Sequence, residues 1–245
     1  MGRKVRYCPP LQRGRLIRRY KRFLADVETD TGDRITIHCP NTGSMKNCAH
    51  AGDEVWYSVS ENEKRKYPNT WELTRTKRGH YIGINTGSAN RLVKAAIEDN
   101  VVDELKGYPS LVTEERYGKE NSRIDIKLSG HVRRADCYVE VKSVTLLEAP
   151  VSAGVGYFPD AVSARGAKHL RELTEIVAAG FRGVLLYCVQ HSGIREVRPA
   201  RHIDPVYATT LDEAVAQGVE VLAYKTRMSP KGLRIVKSIP VALET

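Results

Sequence analysis

Along Ser122-Arg123-Ile124-Asp125-Ile126-Lys127-Leu128 apolar and polar residues alternate, the period of a β-strand with one buried face. The same period continues through Ala135-Asp136-Cys137-Tyr138-Val139-Glu140-Val141-Lys142-Ser143-Val144. There Cys137, Val139 and Val141 point one way, and Asp136, Tyr138, Glu140 and Lys142 the other. A strand over Leu111 to Tyr117 precedes them. Before it, Ser88 is placed to cap a helix from Ala89 to about Asn100, with Leu92, Val93, Ala96 and Ile97 as its apolar stripe. Ala149 to Gly156, with a Pro, a Ser and two Gly, reads as an exposed loop. Ser163 caps a second helix carrying Leu170, Leu173, Ile176 and Val177 and ending at Gly180. Gly183 to Gln190 is nearly continuously apolar, as a strand buried on both faces is. Pro205 to Gln217 predicts a third helix, Val219 to Tyr224 a strand, and Leu233 to Ile239 an edge strand. Helix, three strands, helix, strand is the order of a mixed α/β sheet.

The first third of the chain has another pattern. Arg13 to Val27 reads as one extended stretch, Thr31-Gly32-Asp33 as a turn, and Arg34 to Cys39 as a return strand. Pro40-Asn41-Thr42-Gly43-Ser44 is a loop, Gly52 to Ser60 a third strand, and Trp71 to Thr76 with His80 to Ile84 a hairpin around Arg78-Gly79. Five short strands without a long helix predict a five-stranded barrel of OB type, a pattern an SH3-like barrel shares. The expected fold class is therefore α/β plus β, with residues 1–85 as an OB-like barrel and residues 86–245 as the mixed α/β domain.

Charge sharpens this division. The net charge is +10, and a basic surface concentrates phosphate backbones. Residues 1–85 hold 17 Lys and Arg against 9 Asp and Glu, whereas residues 86–245 hold 22 against 20. Most of the excess thus lies on the barrel, as expected of a basic binding module joined to a more neutral partner. The five cysteines lack metal spacing, and Cys137 and Cys188 fall inside apolar strand patterns, where they act as small buried hydrophobes. Arginines at 13, 15, 18 and 19 interrupt any N-terminal signal core. The longest strongly apolar run, Val184 to Val189, is too short to span a bilayer. A soluble, reduced, cytoplasmic protein with no membrane partner is expected, and a homo-oligomer is left open.

Glu140 and Lys142, two residues apart on one strand face, carry the candidate chemistry, with Asp125 on the strand before. Glu-x-Lys alone arises readily from charge alternation on a sheet surface. Set on the third strand of this element order, with an acid on the second, it resembles the PD-(D/E)xK nuclease superfamily. Asp125 and Glu140 supply hard oxygen ligands for Mg2+ or Mn2+, and Glu115 on the first strand is a further candidate metal ligand. Lys142 is placed to orient a nucleophile or offset charge building on a phosphate. Arg165, Lys168 and His169, early in the second helix, are candidate phosphate contacts. Ile124 stands where the superfamily label has Pro, and Asp136, on the same face as Glu140, is the alternative to Asp125 as metal ligand.

On the barrel, Arg18, Arg19, Lys21 and Arg22 flank Tyr20 and Phe23, and Lys64, Arg65 and Lys66 precede Tyr67 and Trp71. Cations interleaved with rings are the ingredients of a single-strand groove. Phe23 and Trp71 themselves read as barrel core, and the cluster at 64–66 as phosphate contacts. Together these stretches make nucleic acid the expected partner, DNA ahead of RNA.

Several longer strings agree with one family. Pro9-Pro10-Leu11, Arg18 to Val27, His38-Cys39-Pro40-Asn41-Thr42-Gly43, Ser60-Glu61-Asn62, Lys64-Arg65-Lys66-Tyr67-Pro68, Tyr157-Phe158-Pro159-Asp160 and Lys168-His169-Leu170-Arg171-Glu172-Leu173 are similar to the sugar fermentation stimulation protein A family. Ser122-Arg123-Ile124-Asp125, Val139 to Thr145 and Arg201-His202-Ile203-Asp204 extend the likeness from residue 9 to about residue 225. The resemblance implies a bacterial or archaeal cytoplasmic protein with an OB-like domain followed by a nuclease-like domain. It also implies DNA binding of low sequence specificity and a role in regulating sugar (maltose) utilisation. Two readings of the acid cluster follow: a metal-dependent nuclease on DNA or RNA, and a binding module that keeps the nuclease fold without turnover.

Overall fold

The computed structural model describes residues 2–117 and 122–243. In the N-terminal unit β1 (Gln12–Tyr20), β2 (Leu24–Thr29), β3 (Arg34–His38), β4 (Glu54–Val59), β5 (Asn69–Arg75) and β6 (Tyr81–Gly83) lie in the order β3-β2-β1-β4-β5-β6. A bridge between His38 and Thr70 joins β3 to β5 and closes the first five strands into a barrel. Leu16, Val27, Ile37, Val55 and Trp71 fill it. The Trp71 indole N–H is satisfied inside by the Leu73 carbonyl and the Thr74 hydroxyl, so this ring is core, as its size suggests.

Two expectations for the barrel are corrected. Arg13 to Val27 is not one strand but the hairpin β1–β2, turned at Lys21 and Arg22, whose φ angles are 49° and 66°. No Gly, Asn or Pro marks the turn in sequence. Side-chain bonds hold it instead: Arg19 Nη2 donates to the Arg22 carbonyl within the turn and to the Asn41 and Gly43 carbonyls of the loop after β3, and Arg22 Nε donates to the Thr42 carbonyl of that loop. Phe23, at the tip of this turn, is 43% exposed rather than core.

The second unit comprises α1 (Ser88–Glu98), β7 (Ser110–Tyr117), β8 (Ser122–Ser129), β9 (Cys137–Val144), β10 (Leu146–Leu147), β11 (Val155–Phe158), α2 (Ala164–Ala178), β12 (Arg182–Val189), β13 (Glu196–Pro199), α3 (Pro205–Ala216), β14 (Glu220–Ser229) and β15 (Gly232–Ser238). Among the described residues the main sheet has the order β15-β14-β12-β9-β8-β7, with β9, β12 and β14 parallel. Leu92, Val93 and Ile97 of α1 pack on one face of it. Leu170 and Leu173 of α2 and Leu211 of α3 pack on the other, against Leu185 and Tyr187. Ser163 caps α2 by accepting from Gly166 N, and Asp204 caps α3 by accepting from Tyr207 N. Ser88 does not cap α1; its hydroxyl donates to the Asn85 carbonyl, and Gly87 takes the cap position.

The segment 149–156, read as loop, contains the start of β11, which lies between β10 and β13 in a small second sheet. Strands of two to four residues carry too few alternations for the pattern to register. The two units share a core, since Trp56 and Leu73 of the barrel belong to the same apolar cluster as α1. Backbone bonds extend the junction: Gly83 N donates to the Gln190 carbonyl, and Val5 exchanges both backbone bonds with Leu233. No helix among the described residues is long and apolar enough to cross a membrane.

Candidate metal and nucleic-acid site

Strand β8 breaks its own alternation at Asp125. Ile126 and Leu128 belong to the core under α1, but Ile124, of the same parity, belongs to the core under α2. A straight strand would keep all three on one face, so the backbone rotates between Ile124 and Ile126. On one side, the β7–β8 register skips the position of Asp125, where Glu114 has φ 59°. On the other, β8 pairs with β9 only from Ile126 to Leu128. The strands then part, and Val141 N donates to Asp125 Oδ2 at 2.8 Å in place of a backbone carbonyl. Asn90 of α1 donates to Asp125 Oδ1 at 2.7 Å. An acid thus fills the opening between two strands, where a local backbone irregularity has re-aimed it.

Glu140 lies on the neighbouring strand, 2% exposed. Its Oε1 accepts from Lys142 Nζ at 2.6 Å and from His169 Nδ1. Arg165 Nε donates to His169 Nε2 at 3.2 Å, which assigns the ring proton to Nδ1 and aims it at the carboxylate. Glu140 Oε2 is buried without a partner. The two acids titrate in opposite directions. Burial and the neighbouring Glu140 charge push Asp125 up to about 6, against the bonds from Val141 N and Asn90. Burial alone would raise Glu140 too, but the His169 hydrogen bond and the Lys142 charge hold it below its ordinary value. The site therefore keeps one firmly ionised carboxylate beside one that carries a proton in mildly acidic solution.

The structure brings Asp125, Glu140 and Lys142 together as the sequence suggested, but not every predicted partner. Glu115 is drawn to Lys127 of β8, 2.5 Å away, and makes no hydrogen bond to the other two acids. Asp136 precedes β9 and accepts from Gly130 N, well down the strand from Glu140. His169 is 5% exposed and committed to Glu140, so it braces the cluster rather than meeting a phosphate. Arg165 is exposed and Lys168 half-buried at the same helix start. Among the described residues no three His, Cys, Asp or Glu side chains are grouped closely enough to hold a metal unaided. Asn90 and Glu172 were not singled out from sequence. Glu172, one turn along α2 from His169, is 3% exposed with neither carboxylate oxygen in a hydrogen bond. An acid lodged between Leu170 and Leu173 in an apolar stripe was the signal for it.

The barrel cations divide in two. Arg19 Nη2 is bound to the carbonyls of Arg22, Asn41 and Gly43. Arg22 holds Thr42, and Arg18 is paired with Asp26 and laid over the Tyr20 ring. Lys21, Lys64, Arg65 and Lys66 are exposed. These exposed cations flank the end of β3, because Cys39 N bonds to the Phe23 carbonyl and Arg65 reaches Thr70, the partner of His38.

From the same strand end a loop docks onto the second unit. Ser44 Oγ and Met45 N donate to Asp160, Lys46 pairs with Glu148, and Asn47 Nδ2 donates to the Leu147 carbonyl. Beside it lies a cleft of about 240 Å³, walled by Asn41 of the loop, Asn90 of α1, Lys142 of β9, and Tyr157, Phe158 and Asp160 at the end of β11. Asn90 and Lys142 thus serve both the cleft and the acid cluster.

Comparison with known proteins gives consistent matches. A family model described as the SfsA N-terminal OB domain matches residues 17–84, and one described as the sugar fermentation stimulation protein RE domain matches residues 87–232. The sugar fermentation stimulation protein homolog of Shewanella frigidimarina is 58% identical over 239 residues, covering 98% of this chain and all of the relative. That of Shewanella halifaxensis is 57% identical over the same length. A solved structure of Pyrococcus furiosus SfsA in complex with Ca2+ superposes with a TM-score of 0.85 over 99% of each chain, at 23% identity. That likeness shows the shared fold, a closed OB barrel joined to a mixed α/β unit.

Proposed function

The chain belongs to the sugar fermentation stimulation protein family, and from that premise we propose that it binds DNA with low sequence specificity and carries a divalent-metal-dependent, nuclease-like site in its second unit. The reading is carried by one observation. Two carboxylates from parting strands are held together beside a lysine, and the more buried one keeps an oxygen without a partner. A buried acceptor of this kind is costly unless a ligand uses it.

The residues fit a hard cation. Asp125 and Glu140 would hold it, with water and phosphate oxygens completing a shell of the kind Mg2+ and Mn2+ prefer. The relative from Pyrococcus furiosus was solved with Ca2+, which supports a divalent site in this fold. When bound, such a cation supplies an acidified water and a polarised phosphate. The chain's own groups do the rest. Asn90 and Val141 N orient Asp125, and His169, itself steered by Arg165, orients Glu140. Lys142 is placed to steady the attacking water and offset charge gathering on the phosphate. Lys21, Lys64, Arg65 and Lys66 supply sequence-independent grip on the backbone, and exposed Phe23 supplies a ring for stacking. Such binding suits a part in controlling sugar metabolism, and the relatives' names refer to stimulation of sugar fermentation.

A second reading, binding without turnover, is favoured by the occupation of Glu140 Oε1 by both Lys142 and His169. Incubating supercoiled, linear and single-stranded DNA with protein and Mg2+ or Mn2+ separates the two. The hydrolytic reading expects nicking or degradation that stops with EDTA and with Lys142→Ala. Intact DNA under all these conditions, despite tight binding, leaves only the second reading.

A further inference from the structure

We infer that the cleft between the barrel loop and the sheet receives one unpaired base of the bound strand, so that the protein engages single-stranded or locally opened nucleic acid in preference to continuous duplex. The inference rests on the nucleic-acid reading above and names its substrate class.

Size comes first. At about 240 Å³ the cleft falls below the ~300 Å³ at which pockets for drug-sized ligands begin, leaving room for one ring system and excluding a base pair within a helix. Position comes second. Lys142 and Asn90 line the cleft while bonded to Glu140 and Asp125, so the two sites share a wall. A nucleotide whose phosphate meets the acid cluster has its base within one sugar of that wall.

Lining chemistry comes third. Tyr157 and Phe158 provide aromatic surface, and both are set by neighbours. Phe158 packs against Tyr187 and Tyr207, and Tyr157 meets the edge of His202. Asp160 is fixed by Ser44 Oγ and Met45 N, both on Oδ2. A carboxylate there repels phosphate, which marks this part of the cleft for a base edge, whose amino and imino groups donate. Asn41, 6% exposed, spends its Oδ1 on Gly43 N and so offers its amide N–H groups. Fixed acceptor, fixed donor and aromatic wall are what reading an extruded base requires.

The occupant also explains why the barrel loop is tied down so thoroughly. Asn41 belongs to the barrel and Asp160 to the second unit, and the Ser44 and Met45 bonds hold them at one spacing. A cleft built from two units in this way is present only when they are docked.

The test compares one single strand with its blunt duplex by fluorescence anisotropy, in Ca2+, with strand integrity checked on a gel. The single strand is scanned with 2-aminopurine. Wild type is expected to bind the single strand about tenfold or more tightly than the duplex, with the fluorescence of incorporated 2-aminopurine changing on binding. Thr86→Trp, which fills the cleft from its rim, is expected to remove that preference and that signal while leaving duplex affinity within about twofold. Tyr157→Ala provides the second variant should Thr86→Trp melt early. Equal affinity for both forms, or a single-strand preference that survives both variants, overturns the inference and leaves the function standing. Binding of neither form overturns the function, and this inference falls with it.

Discussion

The barrel arginines and the acid cluster are both dense in charge, yet they stand in opposite states. Arg19 gives one guanidinium nitrogen to three carbonyls, Arg22 holds a fourth, and Arg18 is paired with Asp26. The charge of Arg19 and Arg22 is used in holding the loop after β3, and that of Arg18 in pairing β1 with β2. Across the junction Glu140 Oε2 and both oxygens of Glu172 are buried without partners. A charged group tied to its own chain as Arg19 is at Nη2, although its Nε is buried without a partner, is part of the scaffold. One that folding leaves short of partners is where a ligand can gain most. The contrast moves functional weight away from the arginine string that dominates the sequence, toward the acids and the exposed Lys21 and Lys64–Lys66.

The largest effect should come from the under-satisfied side. Glu140→Ala is expected to weaken divalent-cation binding by about a hundredfold or more in isothermal titration. Arg19→Ala should leave that binding intact and instead lower stability by about 3 kcal/mol in urea unfolding, because three carbonyls lose a charged donor. If the two variants showed the reverse behaviour, the division drawn here would be inverted.

Proton competition sharpens the comparison on the acid side. With Asp125 at about 6, cation affinity should fall as pH drops below about 6, and Asp125→Asn should bind weakly at every pH without that slope. The stability sign is opposite to that of a salt-bridged acid. The folded value lies above the ordinary 3.8, so the unfolded chain loses its proton first as pH rises. Without metal, the Asp125 contribution to stability is then largest below about pH 4 and is lost as pH rises toward 6. Metal-free thermal melts of wild type and Asp125→Asn across that window measure it.

The smallest effect belongs to the exposed lysines. Lys64→Ala combined with Lys66→Ala should reduce the slope of log affinity against log salt by about 1.5, at unchanged unfolding midpoint. A change in stability instead would place these lysines with the scaffold arginines.

Much of this arrangement was legible in the sequence. The alternation at 122–128 and 135–144 located both strands of the site, and Glu140 and Lys142 fell on one face as a two-residue period requires. What the period could not carry was its own interruption. Ile124 follows the pattern in letters but faces the opposite core, because the rotation at Asp125 is set by Glu114, Asn90 and Val141, none adjacent in the chain. The hairpin turn at Lys21-Arg22 was hidden for the same reason: long-range bonds from Arg19 to Asn41 and Gly43 and from Arg22 to Thr42 support a backbone that local propensity disfavours. His169 was noticed beside the right helix start but assigned to phosphate. Only its burial against Glu140 reveals a bracing role.

The bond pair between Val5 and Leu233 has a bearing on how this protein can be handled. The leading segment lies across the last strand like a strap, giving β15 a neighbour on its otherwise open flank. A fragment begun after Asn85 would lack that strap and present a bare strand to other copies, inviting edge-to-edge aggregation. The second unit is therefore best obtained with the barrel still attached.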